Sequence, residues 1–166
     1  EKYKWGGRVA VGHVGKLATM PSKDLDKVAR RMADAGVAAT VLTAWVPRAE
    51  FARLLRAADV FVGLPLAAEG FYRPALEAMA CGCTVVCADA LGNRAFCADG
   101  ETCSQPAHGD AGEHAEAVLR LLADDDLRTR LRRAGLARAA QFDLARERAG
   151  VHAVFDTVFE RAAARA

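Results

Sequence analysis

The chain has 166 residues, 52% of them hydrophobic and 27% charged, which fits one domain of about 150 residues that buries enough apolar surface to fold and so excludes disorder. Its 23 basic and 21 acidic residues leave a formal charge of +2. No broad basic field suited to nucleic acid is therefore implied, and no apolar run approaches the roughly 18 residues of a membrane-spanning helix. No charged leader followed by an apolar run opens the chain, so a secretory signal is not expected.

Arg8 to Val14 reads as a short buried strand entered from Gly6-Gly7. A loop from Gly15 to Pro21 leads to Ser22, an N-cap residue, and to a helix whose apolar face is Leu25, Val28, Ala29 and Met32, with Gly36 as its stop. Ala38 to Trp45 is β-rich, and Pro47 opens a second helix with Phe51, Leu54, Leu55 and Ala58 on its inner face. Val60 to Leu64 and Thr84 to Ala88 are apolar on both faces, as central parallel strands should be. Between them run a loop, Pro65 to Tyr72, and a helix with Pro74 near its start and Gly82 past its end. A loop containing Gly92-Asn93 then leads to Thr102–Pro106, a candidate edge strand. From Gly112 the chain reads as helical, with stripes at Ala115, Val118, Leu119, Leu122; at Leu127, Leu131, Ala134; and at Val151, Val154, Phe155, Val158, Phe159, Ala162. Strands alternating with helices imply a Rossmann-like α/β domain: a parallel sheet flanked by helices, with a helical C-terminal tail.

The five cysteines are Cys81, Cys83, Cys87, Cys97 and Cys103. An odd count without framework spacing reads as reduced thiols of a cytoplasmic protein. Burial is favoured over metal binding, because Cys83 and Cys87 bound a strand-like run and no nearby histidine completes a familiar zinc spacing. No metal site is expected. Abundant alanine, and arginine in excess of lysine, are what a GC-rich bacterial genome produces.

Ligands of open parallel sheets sit beyond the carboxyl ends of the strands. The loop from Gly12 to Lys23 carries His13, Lys16 and Lys23 and feeds a helix start, which suits a phosphate, although it has neither a GxGxxG nor a Walker spacing. The loop after the third strand is more specific. Glu69 lies in it and Glu77 lies on the following helix eight positions later. Two carboxylates bracketing a helix mouth can accept hydrogen bonds from vicinal hydroxyls, while free N–H groups from Gly70 to Arg73 can hold hydroxyl or phosphate oxygens. The plainer reading makes Glu69 a surface loop residue and Glu77 a helix-dipole carboxylate.

The wording of this stretch resembles the C-terminal, donor-binding domain of retaining GT-B glycosyltransferases of the family 4, or group 1, type. Leu64-Pro65, Glu69-Gly70-Phe71, Leu76-Glu77-Ala78-Met79-Ala80-Cys81-Gly82 and Val85-Val86 follow that family's signature in order. Val46-Pro47, Ala58-Asp59-Val60-Phe61-Val62, Asp99-Gly100-Glu101-Thr102 and the closing helices extend the likeness over most of the chain. The resemblance implies that Glu77 accepts from ribose hydroxyls and that Glu69, the catalytic candidate, contacts the transferred sugar. It also implies that the backbone of Gly70, Phe71 and Tyr72 holds sugar and distal phosphate and that Leu76 packs near the ribose. Lys23 would bind the diphosphate, with Gly12 and His13 at the end of the first strand and Lys16 able to supplement His13. The nucleoside-diphosphate sugar is substrate, and no cofactor or metal is implied.

Three departures stand out. Tyr72 takes the place of the second glycine of Glu-Gly-Phe-Gly, Cys83 that of a proline and His13 that of an arginine. The region before Trp45 is short by about one strand–helix unit against the family's usual domain. A GT-B enzyme places its reaction between two such domains, and nothing here resembles the N-terminal, acceptor-binding one. The expectation is therefore a single donor domain over residues 1–166 whose other half is supplied in cis or as a subunit. The last apolar stripe would pack on that half, on the chain's own sheet, or on a second copy. Two other classes remain: a non-catalytic module or partner subunit keeping part of the pocket, which nucleotide titration distinguishes, and a nucleotide-sugar epimerase, which would not carry this wording.

Overall fold

The computed structural model describes residues 8–12, 22–42 and 46–164. Within them β1 (Arg8–Gly12), β2 (Ala38–Leu42), β3 (Val60–Gly63) and β4 (Thr84–Cys87) form one parallel sheet in the order β2-β1-β3-β4. The helices are α1 (Ser22–Asp34), α2 (Arg48–Arg56), α3 (Arg73–Ala80), α4 (Ala111–Ala123), α5 (Asp125–Ala139) and α6 (Leu144–Ala163). No helix among the described residues is long and apolar enough to cross a membrane.

Alternation along β3 divides the interior in two. Val60, Val62 and Leu64 pack with Val28 and Met32 of α1, Val118, Leu121 and Leu122 of α4, and Leu131 of α5. Phe61 joins Phe51 and Leu55 of α2 and Ala75, Ala78 and Met79 of α3 on the other face. Each such side chain contributes about 1.5–3 kcal/mol on burial, and the two faces together fix the strand register. α5 lies along the β4 edge, contributing Leu131 to one cluster and Ala139 to the other.

Glycine stops work as their sequence positions imply. Gly36 and Gly82 adopt φ of 74° and 83°. Val37 then donates to the Met32 carbonyl and Cys83 to the Ala78 carbonyl, both at 2.9 Å, which closes a Schellman turn after α1 and after α3.

Three expectations change. Ser22 is the first residue of α1 rather than a residue preceding it. The segment after Gly92 is a short 3-10 turn, Leu91–Ala95, instead of an open loop. The edge strand at Thr102–Pro106 shrinks to isolated bridges, Val86 to Ser104 and Asp99 to Cys103, because the chain closes a tight turn at Ala98–Cys103. The helical tail is three helices, interrupted where Asp124 caps the Leu127 N–H at 2.8 Å and Asp143 caps the Arg146 N–H at 2.7 Å. In the last of them no residue is buried, so its stripe does not pack on the chain's own sheet.

Cys83, Cys87, Cys97 and Cys103 are buried and Cys81 is half-buried, all as free thiols. Burial pushes the Cys83 thiol up to about 12, and it donates to the Leu55 carbonyl at 2.9 Å. Such thiols stay protonated and act as small apolar groups.

His114, on α4, is fully buried. Its Nδ1 lies 2.7 Å from the Asp110 carbonyl, which can only accept, so Nδ1 carries the proton and Nε2 is left without a partner. Burial holds the imidazole pKa below its usual value. Above about pH 6.5 both folded and unfolded states are neutral here, and below it the unfolded chain takes a proton that the folded one resists. We predict that the urea midpoint falls between about pH 7 and pH 5. His114→Gln should flatten that slope; an unchanged slope would show that another group controls it.

Candidate functional site

The chain changes direction in the sheet between β1 and β3, the neighbours from which successive connections run to opposite sides. Gly12 and Gly63 are register partners at the carboxyl ends of these two strands. A switch point of this kind opens a crevice, and Gly12 and the segment leaving Gly63 border it.

From Gly63 the chain enters the loop that carries most of the candidate residues. A turn is closed by Glu69 N–H to the Leu66 carbonyl at 2.9 Å, and α3 starts at Arg73 with Pro74 in its first turn. Among the described residues, the N–H groups of Gly70, Phe71 and Tyr72 find no acceptor, Tyr72 provides no side-chain cap, and the first turn of α3 holds no acidic residue. The positive end of the helix is thus left open between Glu69 and Glu77, both half-buried. Glu77 Oε1 lies 3.7 Å from an Arg73 guanidinium nitrogen, with the Arg73 side chain 69% exposed. That pair is long and solvated, so it holds Glu77 only weakly.

The structure therefore brings Glu69, Gly70, Phe71, Tyr72, Arg73, Leu76 and Glu77 into one loop-and-helix unit. Leu76 is half-buried against the α2–α3 cluster. Phe71 offers its backbone, because its ring packs on Phe96 and Phe142, with centroids 5.1 Å and 5.8 Å away. Tyr72 turns its ring into the core, where it is 5% exposed. Lys23 is in the first turn of α1, and His13 and Lys16 lie outside the described residues.

Two residues outside the set of candidate site residues support the loop. His108 Nε2 donates to the Pro65 carbonyl at 2.9 Å. Gly92, in the 3-10 turn, donates to the Glu69 carbonyl at 3.3 Å, beside Leu91 donating to the Ala67 carbonyl at 3.4 Å. A Cβ at Gly92 would collide with the Gly70 carbonyl and stand 2.5 Å from the Phe71 nitrogen. The Gly92-Asn93 dipeptide signals a turn in the sequence, but nothing there reveals which backbone it touches.

A Rossmann-like sheet with an open helix mouth beside a switch point defines a class of phosphate- and sugar-handling domains, and comparison with known proteins specifies which. The chain belongs to the family described as glycosyl transferases group 1, which matches residues 9–124. It is 35% identical over 136 residues to a D-inositol 3-phosphate glycosyltransferase of Frankia alni, covering 81% of this chain and 33% of that protein. It is 33% identical over 107 residues to a phosphatidyl-myo-inositol mannosyltransferase of Mycobacterium leprae, covering 64% of this chain and 29% of that one. The chain thus spans about a third or less of the length of these curated relatives. By fold it matches a glycosyltransferase from Rickettsia africae (TM-score 0.75, 11% identity, 93% of this chain and 48% of that one). It also matches Anabaena HepE in complex with UDP-glucose (TM-score 0.64, 22% identity, 91% and 41%). The fold is one Rossmann-like half of the GT-B type.

We predict that Gly92→Ala destabilises the chain by about 1–3 kcal/mol, because the 3-10 turn and the Gly70–Phe71 backbone must separate to admit the methyl group. Urea unfolding measures this, and an unchanged midpoint would mean that the close approach carries no weight.

Proposed function

We propose that this chain is the donor-binding half of a retaining glycosyltransferase and takes a nucleoside-diphosphate sugar as its substrate, with no cofactor. The observation that carries this reading is the open mouth of α3, where three N–H groups without acceptors among the described residues lie between Glu69 and Glu77. Amide donors at a positive helix end suit phosphate and hydroxyl oxygens. Carboxylates accept from the hydroxyls of a ribose or hexose.

In this reading Glu77 accepts from the ribose, releasing its long contact with Arg73, and Leu76 borders the ribose. Glu69 accepts from hydroxyls of the transferred sugar and fixes its orientation. The N–H groups of Gly70, Phe71 and Tyr72 receive the sugar and the distal phosphate, with Arg73 beside them. Gly12, His13, Lys16 and Lys23 are assigned to the diphosphate, where positive charge stabilises the leaving group as the glycosidic bond to phosphate breaks. An acceptor side must come from a second domain, in cis or as a subunit. The exposed apolar residues of α6, among them Val154, Phe155, Val158 and Phe159, are the surface on which that half or a second copy would pack.

Calorimetric titration with UDP, GDP and ADP tests the reading. At least one should bind, and Glu77→Ala should weaken it by about 1–3 kcal/mol, roughly tenfold to a hundredfold. No heat from any nucleotide with a folded protein would overturn it in favour of a non-catalytic module.

A further inference from the structure

Tyr72 is the last residue of the loop before α3, so its side chain has two directions open to it. Pointing out, it would stand in the mouth beside Glu69 and the free N–H groups. Pointing in, it needs space beneath the loop. That space exists because Gly63 has no side chain. A Cβ at Gly63 would lie 2.8 Å from Cε1 of the Tyr72 ring, 3.1 Å from the Phe61 ring and 3.2 Å from Cys87 Sγ. Carbon atoms do not approach a ring that closely, so residue 63 and the inward ring compete for one volume.

The phenol oxygen is buried with no partner at hydrogen-bonding geometry, the Leu64 backbone being the polar group beside it. A buried hydroxyl so weakly satisfied costs free energy, so shape is what retains it here. Burial, with Cys87 and Glu69 nearby, raises the phenol pKa well above its ordinary value, the Leu64 backbone opposing that rise.

We propose that Gly63 and Tyr72 are a matched pair of positioning residues: the missing side chain at one provides the seat for the ring of the other, and this keeps the sugar-diphosphate end of the donor mouth open. The pair accounts for an aromatic residue at a position where the resembling family's pattern has glycine. The inference rests on the donor-site reading.

The full chain carrying Gly63→Ala, Tyr72→Gly, or both together tests it, with UDP and GDP titrated by calorimetry and phenolate absorbance followed against pH. Gly63→Ala should bind whichever nucleotide the wild type prefers about tenfold more weakly. The double variant should match Tyr72→Gly, because without the ring the added methyl group obstructs nothing. Tyr72 is one of two tyrosines, so one phenol should stay silent through about pH 10 in the wild type and titrate normally in Gly63→Ala. Wild-type affinity in Gly63→Ala, a double variant as weak as Gly63→Ala alone, or a phenol still silent in Gly63→Ala would each overturn the proposal. Should Gly63→Ala fail to fold, Tyr72→Trp takes its place: the indole exceeds the seat and should cost the same about tenfold, and wild-type affinity there would overturn the pairing. A wild type that binds no nucleotide refutes the donor site, while the phenol titration still decides where the ring sits.

Discussion

The site depends on one backbone-to-backbone approach. The loop after β3 has few internal hydrogen bonds, and its middle keeps its N–H groups free, so something outside it must define its path. The 3-10 turn after β4 does this by pressing Gly92 against Gly70 and Phe71 and donating to the Glu69 and Ala67 carbonyls. Two consecutive strand ends are thereby joined at the rim of the sheet. The carbonyls are used for support and the N–H groups remain available, a division of labour that a single loop cannot achieve alone.

Beneath this rim the support is apolar and rigid. α3 has only eight residues and no side-chain cap, too few for a helix to persist by propensity. It survives because Pro74, Ala75, Ala78 and Met79 are buried between β3, β4 and α5. The carboxylate of Glu77 inherits its position from that packing. The thiols that line the same layer are spaced like metal ligands in part of the sequence, yet they serve as filler, and the buried His114 on the other face plays a comparable part.

The framework was legible because its signals are local. Val60–Val62 and Val85–Val86 are apolar on both faces, and only a central strand uses such a run; Gly36 and Gly82 mark helix ends because left-handed backbone excludes most other residues. The separation of Glu69 from Glu77 was likewise visible, since one loop and one short helix carry both. What stayed hidden depends on contacts distant in sequence. No pattern tells that Gly92 meets Gly70 or that His108 reaches Pro65. Tyr72 stood out only as a departure from the resembling family's glycine, because the direction of its ring depends on Gly63, nine residues earlier. The tail read as helical with three apolar stripes, but the breaks between its helices were not placed because Asp124 and Asp143 were not recognised as caps, and its last stripe proved to be the least covered.

That last helix has a consequence for how the molecule is put together. α6 runs for 20 residues with none buried and with Gly150 inside it. An unsupported helix of this length, interrupted by glycine and rich in β-branched valine, is marginal in water. Docking of a surface on it would supply the missing support, and would register as a gain in ellipticity and as slowed amide exchange confined to the C-terminal segment.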